Sequence, residues 1–124
     1  MFDIFQGRSK VVSQEETMQT LPTLVTAFLS SYHADYIRMA IRAVTASVEF
    51  SRASRAIGVK VVPMNYRFTN FPTDLIQSVV IGGRYYPHAN DYFPYVEFNL
   101  SSGGFHTHIV QDVLSEIDKQ QRGG

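Results

Sequence analysis

Between Pro22 and Ile57 no residue forbids a helix, and Gly58 is the first natural C-terminal stop. Apolar side chains recur through this run at helical spacing: Leu21, Val25, Phe28, Leu29, Tyr32, Tyr36, Met39, Ala40, Ala43 and Val44. An unbroken helix of about 36 residues would be about 54 Å long. The whole chain has 124 residues, and a compact domain of that size is only about 35 Å across. Either the helix breaks, or it projects and packs against another copy of the chain. Ser30-Ser-Tyr-His-Ala-Asp35 is the expected break, because Ser and Asp side chains compete for backbone hydrogen bonds.

The flanking segments complete the plan. Residues 1–12 read as an N-terminal arm anchored by Phe2, Ile4 and Phe5. Ser13-Gln-Glu-Glu16 has the form of a capping box and predicts a short helix from Gln14 towards Thr20, so residues 13–57 form the helical part. Pro22 suits the first turn of the next helix. After Gly58 the pattern becomes β-branched and aromatic. Val59–Phe68 reads as a strand, with Pro63 marking an edge or bulge, and Phe71–Asp74 reads as a turn. Leu75–Ile81, Gly82-Gly83 and Arg84–Tyr86 have the strand, glycine pair, strand form of a tight hairpin. Pro87–Asp91 is a loop, and Tyr92–Leu100 alternates as a strand, placing Val96, Phe98 and Leu100 on one face. These define a sheet over residues 58–100. Ser101–Gly104 is a break, an amphipathic helix spans 105–120 with Ile109, Val110, Val113, Leu114 and Ile117 as its apolar stripe, and 121–124 is a tail. The expected fold is α+β in one domain, 1–124. Its N-terminal helices, one long or bent, precede a small antiparallel sheet of three to four strands and a C-terminal amphipathic helix.

Composition narrows the chemistry. With no cysteine, disulfides, thiolate metal sites and a cysteine nucleophile are excluded. No apolar run approaches the length that crosses a bilayer, and the N-terminal segment is too short for a secretory signal, so a cytoplasmic protein without a membrane partner is expected. Charged residues are sparse at 18 % and aromatics plentiful at 13 %, the balance either of a surface partly covered by a partner or of a monomer with a well-filled core. Net charge is zero but split along the chain. Arg38, Arg42, Glu49, Arg52, Arg55, Lys60 and Arg67 sum to +5, and Asp74, Arg84, Asp91, Glu97, Asp112, Glu116 and Asp118 sum to −5. The halves either neutralise each other within the fold or make a two-sided molecule.

Residues 84–108 hold four of the seven tyrosines and three of the four histidines. Tyrosine joins an apolar ring to a polar tip, so Tyr85, Tyr86, Tyr92, Phe93 and Tyr95 are the candidate partner-binding surface. Arg38 with Arg42, and Arg52 with Arg55, lie on neighbouring helical turns and offer the alternative of nucleic-acid binding through phosphate contacts. His106-Thr-His108 with His88 offers a metal-dependent enzyme. That needs the two histidines on one face of a strand, whereas a helix is expected there. Ser101–Gly104 lacks the spacing of phosphate-binding loops, and no nucleophile elbow is present. No cofactor is expected.

Two likenesses are local. The C-terminal Arg122-Gly-Gly124 resembles the tail of ubiquitin-like modifiers, whose fold opens with a hairpin where this chain opens with helices. Met1-Phe-Asp-Ile-Phe with Val11-Val-Ser-Gln14 resembles the opening of phycobiliprotein β subunits, which are all-helical and hold bilins on cysteine, a residue lacking here. The sequence therefore points to a non-catalytic interaction or assembly protein that docks on a protein partner or on copies of itself, a homo-oligomer. By analogy of size and architecture it is comparable to virus or phage structural and inhibitory factors.

Overall fold

The computed structural model describes residues 20–71 and 74–123. The expected N-terminal arm, the capping-box helix, the middle of the 71–74 turn and Gly124 lie outside the described residues. Helices α1 (Leu21–Ser31) and α2 (Ala34–Ala56) are followed by strands β1 (Tyr66–Thr69), β2 (Ile76–Tyr86), β3 (Asp91–Leu100) and β4 (Phe105–Ile109), then by helix α3 (Val110–Gly123). The strands form one antiparallel meander in the order β1-β2-β3-β4.

The long helical run breaks where expected. Pro22 occupies the first turn of α1, and the chain turns extended at Tyr32 and His33 before α2 begins. The Ser30 and Ser31 hydroxyls donate to the Ala27 carbonyl, and His33 Nδ1 accepts from the Asp35 amide at 3.3 Å, capping α2. Tyr32 fixes the corner: its ring packs on Phe28, Phe68 and Phe71, and its hydroxyl donates to the Thr69 carbonyl. At 23 residues, α2 is about 35 Å long, the width of the domain. It ends at Gly58, whose φ of +88° suits glycine.

The three helices among the described residues lie on one face of the sheet. Leu24, Val25 and Phe28 from α1, Ile37, Ile41, Val44 and Val48 from α2 and Val113 and Ile117 from α3 meet Phe68, Val79, Ile81, Val96, Phe98 and Leu100. Thr26 and Gln120 bond across α1 and α3. The alternation of β3 is as expected, with Val96, Phe98 and Leu100 inward.

Three expectations are corrected. Gly82-Gly83 does not turn: β2 runs straight through it, paired with Tyr95 and Pro94. These glycines serve close approach instead. A Cβ on Gly82 would overlap the Asn65 side-chain oxygen, and one on Gly83 would stand 2.6 Å from Val48 Cγ2 and 2.9 Å from Pro63 Cβ. The hairpin turns at Pro87–Asn90, where Asn90 takes φ +51°. The strand expected over Val59–Phe68 is confined to Tyr66–Thr69, because residues 59–65 lie along α2, tied by Ser51 Oγ to the Val61 carbonyl and by the Met64 amide to Ser47 Oγ. Finally, the helix expected over 105–120 begins only at Val110 and continues through the supposed tail to Gly123. Phe105–Ile109 alternates between exposed and half-buried positions as an edge strand, and Ser101–Gly104 is a β-hairpin turn with Gly103 at φ +107°.

Candidate functional site

The tyrosine-rich segment divides between the two faces of the sheet. The register pairs Tyr85 with Tyr92, and with Val79, Ile81, Val96 and Phe98 these form the helix side. Arg84, Tyr86, Phe93, Tyr95 and Glu97 alternate with them onto the open side. The five expected contact residues therefore divide into two clusters.

On the helix side, the Tyr85 and Tyr92 rings lie 5.2 Å apart, and the Arg55 guanidinium sits 4.8 Å and 5.9 Å from their centres. Asn90 Oδ1 accepts from Arg55 Nη2 at 2.5 Å and from the Tyr85 hydroxyl at 2.6 Å, which is why the turn residue Asn90 belongs to this cluster. Hydrogen bonding at Tyr85 raises the Arg55 pKa, against a desolvation cost, so the charge is permanent. Lys60 adds a second cation to the cleft of about 490 Å³ that these groups line with Gly58 and Val59. Tyr92 also packs against the core.

On the open side, Tyr86 meets Phe93 edge-on at 5.5 Å, and the Arg84 guanidinium lies 4.7 Å over the Tyr95 ring while bonding Glu97 Oε1 at 3.0 Å. Burial of Arg84 lowers its pKa, but the bonds to Tyr95 and Glu97 outweigh that and leave it raised. Tyr86, Phe93, Pro94, Tyr95 and Ile109 line a groove of about 570 Å³. The groove ends at β4, which pairs with β3 only; among the described residues no strand covers its outer edge. The Leu100 amide bonds Gly104. By the alternation of an antiparallel ladder, Phe105 and Thr107 then direct their N–H and C=O groups outward.

The arginine helix is largely committed within the molecule. Arg38 bonds Asp118 at 2.7 Å, and Arg52 Nε bonds both Asp91 Oδ1 and the Tyr92 carbonyl at 3.1 Å. These pairs join the positive and negative halves of the sequence. Among the described residues Arg42 has no ion-pair partner.

The histidines give a mixed result. His106 and His108 do share a strand face, their rings parallel within 7° at 6.3 Å. His88 sits apart in the turn, and among the described residues no three His, Cys, Asp or Glu side chains are placed to hold a metal. Both Nε2 atoms are buried without a hydrogen-bond partner. Burial, and then the neighbouring His106, lowers the His108 pKa, with Asp112 opposing.

Sequence reasoning missed a further surface. Met39 and Phe50 on α2, Ile57 at its end, and Val62 and Met64 beyond are exposed large apolar residues. The signal was present: Met39, Ala43, Ala46, Phe50 and Ile57 repeat at helical spacing on the side away from the core. Among the described residues no helix is long and apolar enough to cross a membrane. No family model matches the chain, and no curated protein or solved structure matches it at a significant level.

Proposed function

We propose that this is a non-catalytic interaction protein that captures an extended segment of a partner protein along β4, with the segment's side chains set in the Tyr86–Phe93–Tyr95 groove. The supporting observation is the juxtaposition of an aromatic groove with a strand edge that no strand among the described residues covers. Sheet edges are normally guarded by Lys, Pro or a bulge. Phe105-His-Thr-His-Ile109 has none of these in its ladder with β3. An added strand would gain backbone hydrogen bonds from Phe105 and Thr107 and specificity from alternate side chains in the groove.

A displayed library of extended hexapeptides tests this. Selected peptides should be apolar at alternate positions. They should lose binding to Thr107→Pro, which removes an outward N–H but no ladder bond, and to Tyr95→Ala, while Arg55→Ala binds normally. Peptides that bind Thr107→Pro unchanged refute strand addition, and failure to select any peptide refutes the site.

The helix-side cleft favours a second reading, nucleic-acid binding, because Arg55 and Lys60 flank two tyrosine rings with no carboxylate in the lining. It predicts that oligo-dT binds, that binding weakens steeply with salt, and that Arg55→Ala abolishes it. Oligo-dT binding that ignores both salt and Arg55 removes this reading.

A further inference from the structure

We infer that the outward face of α2 is a self-association surface on which two copies pack antiparallel about a two-fold axis passing beside Thr45 and Ala46. This face is distinct from the β4 groove and does not depend on it.

Met39, Phe50 and Ile57 are 58 %, 62 % and 78 % exposed, on the side of α2 opposite the buried Ile41, Val44 and Val48. The connector widens the stripe. The Met64 amide is held by Ser47 Oγ and the Val61 carbonyl by Ser51 Oγ, so the 61–64 segment runs beside the turn that carries Phe50, with Val62 79 % exposed. Side chains this apolar, contiguous and unpaired mark an interaction site.

The pattern of the stripe selects the occupant. Arg42 and Glu49 border it two turns apart, too distant to pair with each other, and neither has an ion-pair partner among the described residues. An antiparallel pairing about Thr45 and Ala46 brings Arg42 of each copy level with Glu49 of the other, at both ends of the contact. The same operation sets Met39 against Phe50 of the second copy, within about 3 Å along the axis. The small side chains of Ala43 and Ala46 come to the centre, where two helices approach most closely. One symmetry operation thus satisfies both free charges and covers Met39 and Phe50 of each copy, as an isologous interface requires. An unlike partner would need its own matching charges, and nothing in the chain specifies them.

The test is a charge exchange read by sizing with light scattering, with circular dichroism melts as the folding control. The wild type should be a dimer. Arg42→Glu and Glu49→Arg should each oppose like charges across the axis and weaken the dimer about ten-fold or more. The double variant R42E/E49R should restore it, and Tyr95→Ala should leave it intact. Because the chain has no cysteine, Ala46→Cys should cross-link to dimers under mild oxidation. A wild-type monomer at every concentration overturns the proposal and leaves the stripe to an unlike partner. A dimer indifferent to either single exchange, or single losses that the double variant does not restore, overturns the geometry.

Discussion

Replacing Gly83 by alanine tests the account of why β2 runs straight through a glycine pair. Glycine within a strand is ordinarily a liability, and alanine there gains about 0.5–1 kcal/mol from reduced backbone entropy. Here the new Cβ would meet Val48 Cγ2 at 2.6 Å and Pro63 Cβ at 2.9 Å. Ordinary carbon contacts lie at about 3.5–4.0 Å. One neighbour is a ring with no rotamer to change, and the other is a fully buried side chain on α2. Overpacking of this kind costs about 1–3 kcal/mol. The net expectation is destabilisation by about 1–2 kcal/mol, a fall in Tm of about 4–8 °C for a chain this long. Urea unfolding should show the loss in the midpoint with the slope unchanged. Val48→Ala removes one of the two clashing groups, so in the Gly83→Ala background it should cost less than in the wild type, a coupling a double-mutant cycle reads directly. Gly123→Ala is the control, since its Cβ would meet nothing within 4 Å. A Gly83→Ala protein as stable as the wild type, or more so, would refute the close-approach explanation.

Other expectations follow from the same geometry. Burial holds the His108 pKa down, so the fold accommodates the neutral ring. Above the ordinary histidine value of about 6.5 this stability is intact, and as pH falls through it the unfolded chain takes up the proton first. Tm should drop between about pH 7 and pH 5, and His108→Leu should flatten that profile; an unchanged profile would contradict it. Arg52→Ala should cost about 1–2 kcal/mol in urea unfolding by removing the forked Nε–H bond, shared between Asp91 Oδ1 and the Tyr92 carbonyl, that ties α2 to β3. Equal stability would show that this bond is solvent-exchangeable. Tyr92→Ala should lower the Tm by several degrees because that ring packs on the core, whereas Tyr86→Ala should change it little. The reverse order would misplace the two faces.

The parts legible in the sequence were those governed by local chemistry. The break at Tyr32–His33 follows from Ser, His and Asp side chains that satisfy the backbone themselves, and the apolar alternation of Val96, Phe98 and Leu100 follows from a buried strand face. The misreadings arose where a tertiary contact overrides local preference. Gly82-Gly83 has the composition of a turn, but Val48, Pro63 and Asn65, distant in sequence, supply the reason for glycine. Phe105–Ile109 runs directly into α3, and the apolar Ile109 fits both the strand's period and the helix stripe, which concealed the boundary. Adjacent tyrosines necessarily point to opposite faces of a strand, so Tyr85 and Tyr86 could never have joined one surface once residues 76–86 were continuous. The arginines were visible as residues, but their partners Asp91 and Asp118 are set by the fold.

The two proposed surfaces lie on opposite sides of the molecule. α2 buries Ile41, Val44 and Val48 towards one face of the sheet and turns Met39 and Phe50 away from it, while Tyr86, Phe93 and Tyr95 occupy the other face. A dimer formed through α2 therefore leaves both grooves open and directed away from the two-fold axis. Such a dimer is bivalent. Against a partner displaying repeated segments, the second capture becomes intramolecular and apparent affinity rises by about 10²–10⁴ with no new contact. This makes the surfaces separable in one assay. On a sensor densely coated with a selected hexapeptide, Arg42→Glu should dissociate far faster than the wild type, yet match it for single peptides in solution. Thr107→Pro should fail in both formats. Equal dissociation of the wild type and Arg42→Glu from the dense surface would mean that the dimer, if it forms, does not present both grooves at once.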